Sequence, residues 1–165
     1  MDNSVLKSDF YYGAFLSKII DAGNKPTLIK KDRVRGIYRL NKGTENYLVY
    51  IKYATVREKH RRRWNFTYTD NDIKEIKKYS DKSENILFVF ICTYRDFNNT
   101  EIGIATLEEL LECIRLDCTV NKNNRTTIIK VPNSPALRMY GTKRADMINN
   151  KDNTIHLSRS RINGL

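Results

Sequence analysis

The stretch "NYLVYIKYA", Asn46–Ala54, decides how this chain folds. It is apolar at odd and even positions alike until Lys52. A strand with one wet face alternates, whereas a strand covered on both faces does not. The segment therefore predicts a central strand, with a lysine set into an otherwise apolar surface. Before it, "NKGTE" (41–45) is a turn signal, and "TLIKK" (27–31) and "GIYRL" (36–40) are short strand candidates. Together they predict an antiparallel meander. After it comes a basic loop, in which six of the seven residues 57–63 are Arg, Lys or His. "WNFTY" (64–68) then returns to strand character. Trp64 and Phe66 are two apart, so on extended chain they point the same way, and at least half of Trp64 is expected in the core.

Ser8 is a cap candidate for a helix to about Ala22, with Gly23 in the position just past its end. Its apolar stripe reads as Phe10, Ala14, Phe15, Leu16 and Ile19. Thr69 with Asp72 has the spacing of a capping box and predicts a helix in "DNDIKEIKKYS", with Ile73, Ile76 and Tyr79 inward. "NILFVFICTY" (85–94) is the most apolar run and reads as a buried strand. "EIGIA" (101–105) pairs back on it. Thr106 with Glu109 opens a second capping box leading into "LEELLECIRL". "TTIIKV" (126–131) and "ALRMYG" (136–141) are further strands, and the last twenty residues read as polar and weakly structured. The expectation is an α/β (α+β) fold: one mixed central sheet flanked by helices, in the order αβββ(β)αββαββ. A single domain over 1–165 is expected, its core at about 8–131, with a basic C-terminal extension over about 132–165.

The chain has 165 residues, thirty of them Lys or Arg and nineteen Asp or Glu, for a formal charge of +11. The excess is segregated. Residues 25–63 carry thirteen basic and three acidic groups, residues 125–165 eight and two, and the middle, 69–124, is net acidic. Two basic sectors around an acidic one point to a positive face for a polyanion. No apolar run is long enough for a membrane helix. The polar N-terminus lacks the order of a secretory leader, and three cysteines without paired spacing predict reduced thiols, so a cytoplasmic protein is expected.

Helix, meander, helix, strand over about residues 8–94 resembles the PD-(D/E)XK nuclease-like core. In that family a carboxylate at the meander and a D/E-x-K on the next strand hold Mg²⁺. Here Lys52 of "YIKY" takes the place of the lysine, Tyr50 stands where the acid belongs, and "GIYRL" has Arg39 but no Pro-Asp. The resemblance implies a nuclease-like scaffold whose metal chemistry has degenerated. "YIKYATVREKHRRRWNFTY" is also similar to a pattern of uncharacterised bacterial and phage proteins, a strand ending Lys-Tyr-Ser/Thr followed by a basic loop and Trp-x-Phe-x-Phe. That likeness implies a setting in defence or counter-defence and no activity.

No residue is assigned a catalytic or metal-binding role, and no cofactor is expected. An active Mg²⁺-dependent nuclease requires converging carboxylates, for which Asp9, Asp21 and Asp32 are the displaced candidates. His60, His156, Cys92, Cys113 and Cys118 lack zinc-site spacing. The candidate anion-binding set is Arg33, Arg35, Arg39, Lys52, Arg57, Lys59, His60, Arg61, Arg62, Arg63 and Trp64, joined by Lys143 and Arg144 from the C-terminal sector. Arginine forks grip phosphate in bidentate fashion, and Trp64 or Tyr68 could stack on a base. The expected partner is DNA or RNA, with no membrane. An acidic protein or a phosphorylated nucleotide signal would meet the same positive charge.

Overall fold

The computed structural model describes residues 4–58, 62–82, 85–117 and 124–165. It opens with helix α1 (Lys7–Asp21), then strands β1 (Lys25–Lys31), β2 (Gly36–Lys42) and β3 (Glu45–Val56). These three make the expected antiparallel meander, with Leu40 opposite Tyr47 and Tyr38 opposite Val49. Gly43 turns the β2–β3 hairpin at φ +61°, a backbone region that glycine enters without steric cost. β4 (Arg63–Thr67), helix α2 (Asp70–Asp81) and β5 (Ile86–Tyr94) follow. β5 lies parallel to β3, Tyr50 opposite Phe88 and Lys52 opposite Phe90, and β6 (Glu101–Thr106) closes the sheet antiparallel to β5. The five-stranded order β1-β2-β3-β5-β6 is the mixed central sheet of an α+β fold.

β3 is buried on both sides, for the reason its composition predicted. Val49 and Ile51 face α1, joining Tyr11, Tyr12, Phe15 and Ile19 in one core. Leu48 and Tyr50 face the other way, into a second core with Phe88, Phe90, Trp64 and Phe66. Lys52 shares that second face by the two-residue period of the strand.

The second core is roofed by a second sheet, where the sequence reading anticipated a single one. β4 does not join the meander. It pairs antiparallel with β7 (Arg125–Lys130), Trp64 opposite Ile128, as one edge of a separate four-stranded sheet. β8 (Ala136–Gly141) and β11 (Ile155–Ser158) complete that sheet, and Leu137, Met139 and Leu157 are fully buried in it. Residues 132–165 are thus part of the folded body and not an extension. The closing residues are tied down by ion pairs: Arg159 grips Glu101 at 2.6 and 2.9 Å, and Arg161 grips Glu109 at 2.5 and 2.7 Å. Between β8 and β11 a small hairpin, β9 (Met147–Ile148) with β10 (Lys151–Asp152), turns on Asn149 and Asn150, both at positive φ. Gly141 leaves no room for a side chain, since a Cβ would lie 2.4 Å from the Arg125 carbonyl oxygen.

Two helices differ from expectation. In α1 the N-cap is Leu6, whose N–H is taken by Asp9 at 2.9 Å, and Ser8 is buried in the first turn. The rotation turns Phe10 and Ala14 outward and Tyr11 and Tyr12 inward. α3 is short (Leu107–Leu111), because the chain leaves the helix to bury Cys113 and Ile114. There Asn124 holds both the N–H and the carbonyl of Arg115. Among the described residues no helix is long and apolar enough to cross a membrane.

Candidate functional site

α2 begins as its sequence predicts. Thr69 caps it, accepting from the Asp72 N–H at 3.1 Å, while Asp72 accepts from the Thr69 N–H at 2.8 Å. That capping box also aims the carboxylate at the second face of β3. Asp72 has no exposed surface. Its Oδ1 accepts from the Tyr50 hydroxyl and from Arg35 Nη1 at 2.8 Å. Its Oδ2 accepts from Lys52 Nζ at 2.8 Å and from the Thr69 hydroxyl at 3.1 Å. Five donors meet a group with about four lone-pair sites, so no acceptor capacity is left for a metal ion.

The charges in this cluster hold one another in place. Burial alone would raise the Asp72 carboxyl, but Lys52, Tyr50 and Arg35 outweigh it and hold it down at about 2. The positive end of α2 acts in the same direction. Burial pulls the Lys52 ammonium below its ordinary value, against the opposing pull of Asp72. Burial and the neighbouring Asp72 push the Tyr50 hydroxyl far up, so it stays a neutral donor. Arg35 Nε lies 3.3 Å from Asp32 Oδ2 but is not aligned for a hydrogen bond, and this contact is Coulombic only. Asp32 caps its own turn through the Val34 and Arg35 N–H groups.

Beside this cluster, over the C-terminal ends of the parallel strands β3 and β5, three hollows open. The largest, about 590 Å³, is lined by Ala54, Thr55, Val56, Arg62, Arg63, Asn65 and Ile129. A second, about 370 Å³, shares Arg62 and adds Tyr94, Asn99 and Lys130. A third, about 210 Å³, shares Asn65 and adds Arg33, Lys52, Tyr53 and Thr69. Shared walls join them into one run. Among the described residues, no Asp or Glu lines it. The register of β4 explains the outer wall: Trp64 and Phe66 point inward, and Arg63, Asn65 and Thr67 point outward. Arg63 is braced over the Tyr140 ring, 5.8 Å from its centroid. Lys130 pairs with Glu101 at 2.6 Å, which attenuates its charge. In open α/β sheets the carboxyl ends of parallel strands are where ligands bind.

The structure brings Arg33, Lys52, Arg62 and Arg63 of the sequence-derived set to this run, and Arg57 lies exposed just after β3. Lys59, His60 and Arg61 lie outside the described residues. Arg35 is turned inward onto Asp72 and lines none of the hollows. Lys52 is on the floor, 7% exposed and committed to the same carboxylate, so it is not the open phosphate clamp its place in the sequence implied. Trp64 is 0% exposed, and its Nε1–H is donated to the Thr93 carbonyl at 2.9 Å. It is a core residue and has no face to offer a base, and Tyr68 is likewise buried. Arg39 sits partly buried in β2, away from the hollows. Lys143 and Arg144 brace the exit of α3 instead: Lys143 donates to the Leu111 carbonyl, and Arg144 to the Asn153 carbonyl and to Glu112.

Among the displaced carboxylates, Asp9 pairs with Lys31 at 2.5 Å, Asp32 caps its turn and Asp21 ends α1. They do not converge. Sequence reasoning missed Asp72, Asn65 and Lys130. Asp72 was legible as a cap, but its second role needs Tyr50 and Lys52 to face α2. Asn65 was legible through its alternation with Trp64.

No family model matches the chain, and no curated protein or solved structure matches it either.

Proposed function

We propose that this chain is a nucleic-acid-binding protein of the cytoplasm, on a nuclease-like scaffold without intact metal catalysis. The carrying observation is the joined run of hollows with arginines on its walls and no carboxylate among its described lining residues. Surface arginines are ordinarily interspersed with acids, and a depression that omits them holds a positive potential into which a phosphate backbone fits. Arg33, Arg62 and Arg63 supply that charge from three different places in the wall. Asn65 and Thr55 add neutral polar groups at the same surface.

The scaffold part of the reading draws on the β1–β2–β3 meander followed by α2 and parallel β5. A lysine and a carboxylate meet on the central strand's inner face. Tyr50 occupies the acid position and donates its hydroxyl to Asp72 of α2, so a neutral donor stands where the resemblance calls for a metal-binding carboxylate. The buried free thiols of Cys92 and Cys113 fit a reducing compartment. A place in bacterial or phage defence or counter-defence follows from the sequence resemblance.

Fluorescence anisotropy with duplex DNA, single-stranded DNA and RNA at two salt concentrations tests this reading. The variant carries Arg33→Ala, Arg62→Ala and Arg63→Ala together. Affinity should fall, and the slope of log K against log salt should flatten by about 0.7–0.9 for each phosphate that the variant no longer neutralises. Unchanged affinity and slope would exclude the hollows as the binding surface. EDTA-sensitive cleavage of any of these substrates with Mg²⁺ or Mn²⁺ would overturn the non-catalytic half of the reading.

A further inference from the structure

With Trp64 and Tyr68 buried, the aromatic groups at the basic run are different ones. On the turn after β5, the Phe97 side chain is 53% exposed. Its ring centroid is 5.6 Å from that of Tyr11, which is 4.5 Å from Tyr53. Tyr53 lines the smallest hollow, and the Tyr11 hydroxyl meets Thr55 of the largest at 3.2 Å. Asn99, two residues beyond Phe97, lines the second, of about 370 Å³. Phe97 and Tyr11 line none of the hollows themselves, and the aromatic row reaches them through Tyr53, through Thr55 and along the turn to Asn99.

The backbone at Phe97 is also unusual. Its φ is +61°, a left-handed value that a bulky residue seldom adopts. The turn is held there by the Phe97 N–H on the Tyr94 carbonyl and by the Thr100 hydroxyl on the Phe97 carbonyl, both at 3.1 Å. A large apolar ring is therefore fixed half in water, in a disfavoured backbone state, two residues along the chain from Asn99 in the wall of the second hollow. Such outliers collect at binding sites, where the surrounding structure holds a group ready for its ligand.

We propose that Phe97, resting on Tyr11, is a stacking platform for an unpaired base, and that the ligand of the hollows is single-stranded nucleic acid. The proposal rests on the reading of the hollows as a phosphate site and adds the class of strand to it. A duplex keeps the faces of its bases within the stack and offers Phe97 nothing. A single strand offers a phosphate to Arg62 and Arg63 and a bare π face to the ring in the same short span.

The test is Phe97→Leu, which keeps an apolar group on Tyr11 and removes the aromatic face. Phe97→Trp restores the face. Both are compared with the wild-type chain and the triple arginine variant, after thermal melts establish that each is folded. Phe97→Leu is expected to weaken binding of a single-stranded oligonucleotide about tenfold, with an unchanged salt slope. Duplex affinity should not move, and Phe97→Trp should bind as wild type, with its indole fluorescence quenched by the strand. An oligonucleotide of abasic residues should bind wild type and Phe97→Leu equally. If Phe97→Leu binds single strands as wild type does while the arginine variant is weakened, the platform is refuted and the phosphate site stands. If the arginine variant is also unchanged, both readings fall. Equal weakening on abasic and normal strands also overturns the stacking role.

Discussion

Two groups of cations sit side by side in this protein and differ in nearly every respect. Arg35 and Lys52 are buried on Asp72, in a knot whose carboxylate takes all its donors from within the fold. Arg62 and Arg63 are exposed on the wall of hollows that have no acid among their described lining residues. Both groups come from the same basic sector of the sequence, and formal charge does not tell them apart. The distinction is whether a carboxylate reaches the cation within the fold. A buried charge without a partner is too costly to persist, so the inner pair is bound to Asp72, whereas the outer ones are solvated where they stand.

The sharpest way to break this comparison is Asp72→Ala. It strands two buried cations and removes one half of the α2 capping box, and should cost about 3–5 kcal/mol in denaturant unfolding. A cost near that of an exposed substitution would mean the knot is not a structural one. Acid titration probes the same group. Asp72 is held at about 2, below the ordinary 3.8, so its unfolded form binds protons first. Its contribution to stability is therefore complete above pH 4 and is lost as the pH falls toward 2. Melts of wild type across that window should drop more steeply than those of a folded Asp72→Asn variant. Tyr50→Phe removes one donor of five and should cost about 1 kcal/mol. A larger loss would assign the tyrosine more of the knot than its single hydrogen bond suggests. At the other end, Arg62→Ala with Arg63→Ala should change stability by less than about 0.5 kcal/mol while weakening anion binding. A clear loss of stability there would erase the contrast between the two groups.

Local signals in the sequence were faithful wherever the partner was near. The Thr69–Asp72 box and the turn at Gly43 involve residues close along the chain, the double-sided burial of β3 is written in its own run of apolar residues, and the structure has each. Lys52 and Tyr50 were also legible as a same-face pair. Asp72 was legible as a cap and not as their partner, because a capping box reports the start of a helix and says nothing of what the helix packs against. Trp64 misled in part for a similar reason. Alternation showed that it and Phe66 share a face, but which sheet that face belongs to is set by β7, about sixty residues downstream. The C-terminal sector was hardest to read, since β9, β10 and β11 are only two to four residues long and acquire their form from β8 and from ion pairs to Glu101 and Glu109.

By itself, then, the sequence determined the classes of element, the central strand, the two capped helices and the segregation of charge, because each depends on a local period or on composition. Only the tertiary structure decided which cations are consumed and which stay open. That outcome turns on a few ångströms between Asp72 and the groups around it, brought together from the turn before β2, from β3 and from the start of α2. It also decided which aromatic rings face water, since a ring's burial depends on the sheet that comes to cover it and not on its neighbours along the chain.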